Sequence, residues 1–388
     1  MILFSSLTFS LNFGTKQNIS QSDSQNQVLN VPSQWELETI VIDNNWSATA
    51  VRYDWCEGIG TKNAPYIIEN VSFSTGYPHT SIIIKNSSEY FQIHNCVFQH
   101  CNKCIKLENV SNGMILLNNY TETHSTAIDV VNCQNISISS NVLYDGQTQH
   151  ITVESSIHVN ITDNLIDTIG GTNYGILLEN VNSSLVDYNI VDFTGGYIKI
   201  ALYDSNHNRI FNNSLINSGG SGLRLYNSNR NTITNNTIKE CSNGIELTQE
   251  SIENEIIYNY INTHNEGIFV RDYSHANSIA SNLLENTQIS VISSNLNNMS
   301  FNSIRNPKIG INLAYSNNSV ILNNTIYHYT VQCIREYNCI DNEISSNICI
   351  PIPPDLSSFY TFLIVISSLS SGFLILFIYG RIRKRLRS

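Results

Sequence analysis

An asparagine recurs along this chain at a nearly fixed interval, and the interval limits what the chain can fold into. Taking Asn236 as the marker, the position returns as Asn70, Asn95, Asn119, Asn141, Asn164, Asn189, Asn213, Asn259, Asn282, Asn302, Asn324 and Asn347, about every 23 residues. An apolar residue stands three places before most markers (Ile67, Leu116, Ile138, Ile161, Ile210, Ile233, Ile256) and another two places after (Val97, Leu143, Ile166, Leu215, Ile238, Ile261). A period of this size means one supersecondary unit stacked on copies of itself. Within each copy the apolar residues alternate over short runs, as at Leu223 and Leu225, which is strand patterning. No copy has a helix-length apolar stripe. Short strands in a 23-residue coil give a parallel β-helix.

Stacked strands repeat every 4.8 Å or so, which places equivalent side chains in files up the coil. An Asn amide both donates and accepts, so a file of Asn can bond to itself. Asn also tolerates left-handed backbone at a corner. Glycines open several coils (Gly175, Gly222, Gly244, Gly267, Gly310) and would permit tight corners there. The Asn282–Asn302 step is short, and Gly170 and Gly171 mark an insertion.

This period and ladder closely resemble the NosD-like right-handed parallel β-helix repeats. Gly58 to Phe73 (GIGTKNAPYIIENVSF) resembles the opening motif of archaeal members, and Glu89 to Phe98 (EYFQIHNCVF) their second coil. The resemblance implies an all-β, right-handed, single-stranded solenoid. It also carries an association with copper.

The expected organisation is a signal-like region and polar lead-in over 1–30, a β-helix with an N-terminal cap over 31–350, and a proline-rich stalk over 351–358. A transmembrane helix over 359–380 and a basic tail over 381–388 complete it. Phe359 to Tyr379 holds no charged residue, long enough to span a bilayer. RIRKRLRS follows it, which by the positive-inside rule puts the tail in the cytoplasm and the β-helix outside. Met1 to Phe13 is apolar but has no Lys or Arg ahead of it and no small-residue cleavage site. The formal net charge is −11 even with that basic tail, which argues against nucleic acid as a partner.

Nine cysteines in an exterior protein suggest local disulfides, one set among Cys96, Cys101 and Cys104 and one among Cys333, Cys339 and Cys349. The Cys101–Cys104 pair (CNKC) has no matching second pair for zinc, and Met is scarce for copper. His94 and His100, beside Cys96, Cys101 and Cys104, form the one local His/Cys cluster. We read no metal site and no cofactor from the sequence. N-x-S/T sites such as Asn86, Asn135, Asn160, Asn235 and Asn323 are frequent, but an Asn ladder rich in Ser and Thr generates them. Ladder asparagines, pointing inward or packed at corners, would for the most part be poor acceptors.

Two files point outward from the strand opening each coil. One is Lys106, Asp129, Thr152, Leu177, Ala201, Arg224, Glu246, Phe269. The other is Glu108, Val131, Glu154, Glu179, Tyr203, Tyr226, Thr248, Arg271. Glu154 and Glu179 on neighbouring coils are the candidate catalytic pair, since glycosidases pair carboxylates at such spacings. Glu108, Glu154, Glu179, Tyr203, Tyr226 and Arg224 are the candidate binding residues for a sugar or a protein surface. The Asp clusters of pectin-degrading β-helices are missing. The sequence therefore favours a membrane-anchored, non-enzymatic binding protein that engages polysaccharide or a surface protein. A carbohydrate-active enzyme and a copper-handling protein are the alternatives.

Overall fold

A computed structural model describes residues 35–352, except 75, 169–172 and 195. The expected signal-like segment, the insertion at Gly170 and Gly171, most of the stalk, the span and the basic tail lie outside these residues. The chain forms two compact units, divided between Gly196 and Tyr197.

The first unit is a stack of coils, each of three short strands. Thr126–Val131, Gln134–Ser139 and Val142–Tyr144 form one coil, and Gln149–Glu154, Ile157–Thr162 and Leu165–Thr168 the next. All three pairings are parallel and place like on like: Ile128 on Ile151, Ile138 on Ile161, Leu143 on Ile166. These residues are fully buried. Burial of each such side chain contributes about 1.5–3 kcal/mol, so a coil's three inward files carry most of its stability. The open end is closed by a short helix, Trp46–Arg52, preceded by Trp35–Leu37 and Ile40–Asp43, which already pair as coil strands. Trp46 stacks on Tyr66 and Phe91, with centroids 5.1 and 5.3 Å away, and its Nε1 donates to Ser87 Oγ at 3.0 Å.

The second unit repeats the plan. Ser221–Tyr226, Thr232–Thr234 and Thr237–Lys239 stack in parallel under Asn243–Thr248, Glu255–Ile257 and Tyr260–Asn262. Leu223, Leu225, Ile233 and Ile238 point inward and are 0% exposed.

The ladder forms as expected, with a shift in its first rungs. In the second unit it runs through Asn213, Asn236, Asn259, Asn282, Asn302, Asn324 and Asn347, each Oδ1 from Asn236 onward accepting both the main-chain N–H and the Nδ2 of the Asn one coil before. In the first unit it runs Asn118, Asn141, Asn164, Asn189. Asn118 holds the rung assigned to Asn119, and Cys96, whose N–H donates to Asn118 Oδ1, holds the rung assigned to Asn95. With the register corrected, the core residues are Ile68, Ile93 and Ile115 rather than Ile67 and Leu116. Phe73, Phe98 and Tyr120 take the place expected of Val97. Their rings stack at 5.0 and 4.8 Å.

The left-handed residue is also not the ladder Asn but the one before it: Asn70, Asn95, Leu117, Ser140 and Asp163 in the first unit, Asn212, Asn235, Tyr258, Ser281, Phe301 and Asn323 in the second. The corner needs positive φ, and the residue after it must return to extended backbone to aim its amide inward. So in the Asn235–Asn236–Thr237 sequon the acceptor is Asn235, which is exposed, while the buried ladder residue is Asn236. The expectation that such sequons have inward acceptors is reversed for these doublets.

Glycine at the coil openings serves closeness rather than φ. A Cβ on Gly244 would lie 2.2 Å from the Gly267 carbonyl oxygen, and one on Gly222 2.5 Å from Ile238. Among the described glycines, only Gly58, Gly60 and Gly76 have positive φ.

Candidate binding face

The expected outward files exist in register, but they differ in depth. In the first unit Lys106 pairs with Asp129 and then Thr152 and Leu177, while Glu108 pairs with Val131, then Glu154 and Glu179. Asp129 and Leu177 are buried (5% and 6% exposed), so the first file forms a recessed floor rather than an outward surface. Lys103 covers Asp129 in an ion pair. Glu108 lies beside Lys106 at 2.9 Å and Lys85 at 3.8 Å. The Lys106 hydrogen bond and charge hold its carboxyl below the usual carboxylate range. Glu154 and Glu179 are adjacent in register and both exposed. General-acid work needs one carboxyl kept protonated, usually by an apolar wall. Both glutamates instead face solvent.

In the second unit the recessed file is Ala201, Arg224, Glu246, Phe269. Glu246 is 2% exposed and gathers five donor contacts. Its Oε1 accepts from Arg271 Nε and Nη2 at 3.1 and 2.8 Å. Its Oε2 accepts from Arg224 Nε, Arg224 Nη2 and Ser221 Oγ at 2.8, 2.7 and 2.8 Å. Burial alone would raise this carboxyl. The Arg224 charge and the bonds from Arg271, Ser221 and Arg224 outweigh burial and hold it below the usual carboxylate range. A carboxylate so saturated has no lone pair left for a substrate proton. What it does is fix two guanidiniums, each about a third exposed, at the sheet surface. Arg271 reaches on to Asp272 at 2.9 Å, which also accepts from Thr248 Oγ1 at 2.6 Å.

Beside this cluster, Tyr203 stands in register with Tyr226, ring centroids 5.4 Å apart and tilted by 36°. Tyr226 is two residues from Arg224 on one strand, so both face the same way. The structure thus groups Tyr203, Tyr226 and Arg224 in the second unit and Glu154 with Glu179 in the first. The Glu246–Arg271 buttress, read from sequence only as two members of separate files, is what organises the second group. A further signal in the sequence marks two more ladders. Asn231, Asn254, Asn277 and Asn297 bond from coil to coil, as do Ser228, Ser251, Ser274, Ser294 and Ser316, at the same period as the marker.

The cysteine expectations divide. Cys333 and Cys349 form a disulfide. Cys96, Cys101 and Cys104 do not: they are thiols inside the core, 1%, 0% and 0% exposed. Cys96 Sγ donates to the His94 carbonyl at 3.4 Å, and Cys101 lies 2.8 Å from Ser81 Oγ. Burial pushes the Cys96 thiol up to about 12 and Cys104 well above its ordinary value. Copper favours thiolate or imidazole ligands that converge. Here the thiols are held protonated, while His94 and His100 turn away to Glu69 at 3.6 Å and Glu122 at 2.7 Å. Among the described residues no three His, Cys, Asp or Glu side chains converge on a point. This cluster does not fit a copper ion.

These features define the class: a parallel β-helix repeat protein with internal amide ladders and a polar outer sheet. The profile of the family described as periplasmic copper-binding protein (NosD) matches residues 94–269 and 144–303, over half of the chain. The chain belongs to the NosD family. No curated protein matches it. Solved structures that it resembles include a tailspike mutant of E. coli bacteriophage HK620 in complex with pentasaccharide (9% identity, TM-score 0.47, 71% of this chain and 59% of that one). Alginate lyase AlyF-OU02 with G6 (10% identity, TM-score 0.49, 82% and 88%) and PfbA, a surface adhesin of Streptococcus pneumoniae (11% identity, TM-score 0.44, 74% and 88%), are similar in the same way. The chain thus spans about three fifths of the tailspike's length.

Proposed function

We propose that this protein binds glycan through the outer sheet of its second unit, without turning it over. The observation that carries the reading is the Tyr203–Tyr226 pair beside an arginine that a buried carboxylate holds in place. Aromatic faces stack on the apolar CH face of a sugar ring, and a pre-ordered guanidinium donates to its hydroxyl or carboxylate oxygens. Saturation of Glu246 by five donor contacts supports binding over proton transfer.

The test is a glycan array with the full chain and product analysis of whatever binds. Tyr203→Ala with Tyr226→Ala should abolish binding while the circular dichroism spectrum is unchanged. Binding that survives the double substitution would refute the face. The register of Glu154 on Glu179 keeps an enzymatic reading in view. Polysaccharide cleavage lost in Glu154→Gln and Glu179→Gln would establish that reading in place of ours.

On sequence grounds we also propose that residues 359–379 anchor the chain in a membrane with the β-helix outside. Among the described residues no helix is long and apolar enough to cross one, and the proposed span lies outside them. Flotation of the chain with vesicles tests it.

A further inference from the structure

The last described coil of the second unit is built differently from those before it. Its strands are Gln332–Tyr337, Glu343–Ser345 and Ile348–Pro351, each paired on one side to an earlier coil. Ile321 and Ile326 in the preceding coil are 0% exposed. Their successors in register are Ile344, which is 38% exposed, and Cys349, which closes the coil through its disulfide to Cys333. Around this end Tyr337, Ile340, Ile348, Ile350 and Ile352 are also exposed, Ile340 to 65%. The first unit treats its terminal coil in the opposite way, sealing it with Trp46, which is 2% exposed. A run of exposed isoleucines on open strand edges is a liability in water unless something covers it.

The sequence says what lies within reach. The uncharged stretch begins at Phe359, seven residues after Ile352. Seven residues reach about 25 Å when fully extended. A span that starts there keeps the open end within that distance of the bilayer surface. The coil's charges, Arg335 against Glu336, Asp341 and Glu343, sum to a net negative value, which does not suit adhesion to anionic headgroups. The exposed isoleucines suit burial at the headgroup–acyl boundary.

We propose that the open end of the second unit seats directly on the bilayer, its isoleucines covered by lipid, so that the solenoid stands on the membrane by its last coil. This rests on the anchor proposed above. The partner is the uncharged lipid surface, and raising the anionic lipid fraction should weaken the contact.

The test uses the full chain reconstituted in vesicles that contain brominated phosphatidylcholine. Tryptophan is placed at Ile340 (I340W) or Ile348 (I348W), with Tyr273 (Y273W) as the control. Tyr273 is 64% exposed and three coils from the end, about 14 Å away at the strand spacing. Flotation is read first. The expected result is co-flotation with the emission added by the new tryptophan, over the baseline of Trp35, Trp46 and Trp55, lost in I340W and I348W and kept in Y273W. Adding Ile344→Ser and Ile350→Ser to I340W should restore emission, while flotation persists through the span. Co-flotation without quenching at either position overturns the docking and leaves the anchor standing. If cross-linking then joins two chains through residue 340, the end belongs to a second copy. Failure to float overturns the anchor and the docking with it.

Discussion

Replacement of Asn259 by alanine should be among the most costly single changes in the second unit. The side chain is 1% exposed and makes five polar contacts. Its Nδ2 shares two protons among the Ile233 carbonyl at 2.9 Å, Asn282 Oδ1 at 3.0 Å and the Ile257 carbonyl at 3.1 Å. Its Oδ1 accepts from Asn236 N at 2.9 Å and Asn236 Nδ2 at 3.0 Å. Each bond contributes about 1 kcal/mol net, and each buried group left unpaired costs about 1–3 kcal/mol. Partial relaxation and water entry reduce the sum, so Asn259→Ala should cost about 4–5 kcal/mol. Asn259→Asp should cost a similar amount, because a carboxylate of the same shape cannot donate. Asn286 is the control: it is exposed and its bond to Asn262 is 3.4 Å long, so Asn286→Ala should cost only about 1 kcal/mol, mostly the loss of an Asn from left-handed backbone at φ 59°. Repeat arrays lose cooperativity, so denaturant melts should be paired with hydrogen exchange at the Asn236 amide, which the ladder protects directly. If Asn259→Ala and Asn286→Ala cost the same, or the Asn236 amide keeps its protection, the ladder is not a source of stability and the reasoning fails.

Glu246→Gln should cost about 2 kcal/mol at neutral pH, less than a fully buried pair because the arginines rehydrate. The group's folded pKa is depressed, so its contribution is present above the unfolded value near 4.3 and lost as pH falls through the lower folded value. The gap between parent and variant in urea melts should therefore close as pH drops below about 4. Cys333→Ser should lower stability by about 3 kcal/mol, from a crosslink closing 16 residues, with hydrogen exchange rising first in the last coil. Tyr258 holds left-handed backbone at φ 58° while half exposed, so Tyr258→Asn should raise stability by about 1 kcal/mol in a thermal melt.

Much of this architecture was legible because Asn236 and its repeats are spaced by coil, with short strand-patterned runs and no helix-length apolar stripe between them. The rungs that slipped show why the rest was not. Asn118 and Asn119 are adjacent, and a spacing rule cannot choose between them; side-chain direction does, and it also decides that Phe98 rather than Val97 enters the core. Strand alternation placed Arg224 and Glu246 on the outer side correctly. It could not show that two long arginines would cover Glu246, since depth depends on neighbours one and two coils away. Cys96, Cys101 and Cys104 are close in sequence, but a disulfide depends on Cβ directions that sequence proximity leaves open.

The ladders have a consequence for how such a chain can change in length. Every rung joins a coil to its immediate neighbours by the same bonds, whichever coils they are. Removal of residues 237–259 would therefore bring Asn236 onto Asn282, the partner that Asn259 has now. Growth and loss are quantised: one whole coil is a neutral unit of change, and a fraction of one throws every rung out of step. The 20-residue step from Asn282 to Asn302 shows where a fraction is tolerated: part of its loss is taken up by a register shift where Glu266 and Ile268 meet Gln288 and Ile289, the rest in the corners, and the rung bond stays at 3.0 Å. The natural variable of such a stack is a count of coils, which sets the length of the outer sheet that the second unit presents.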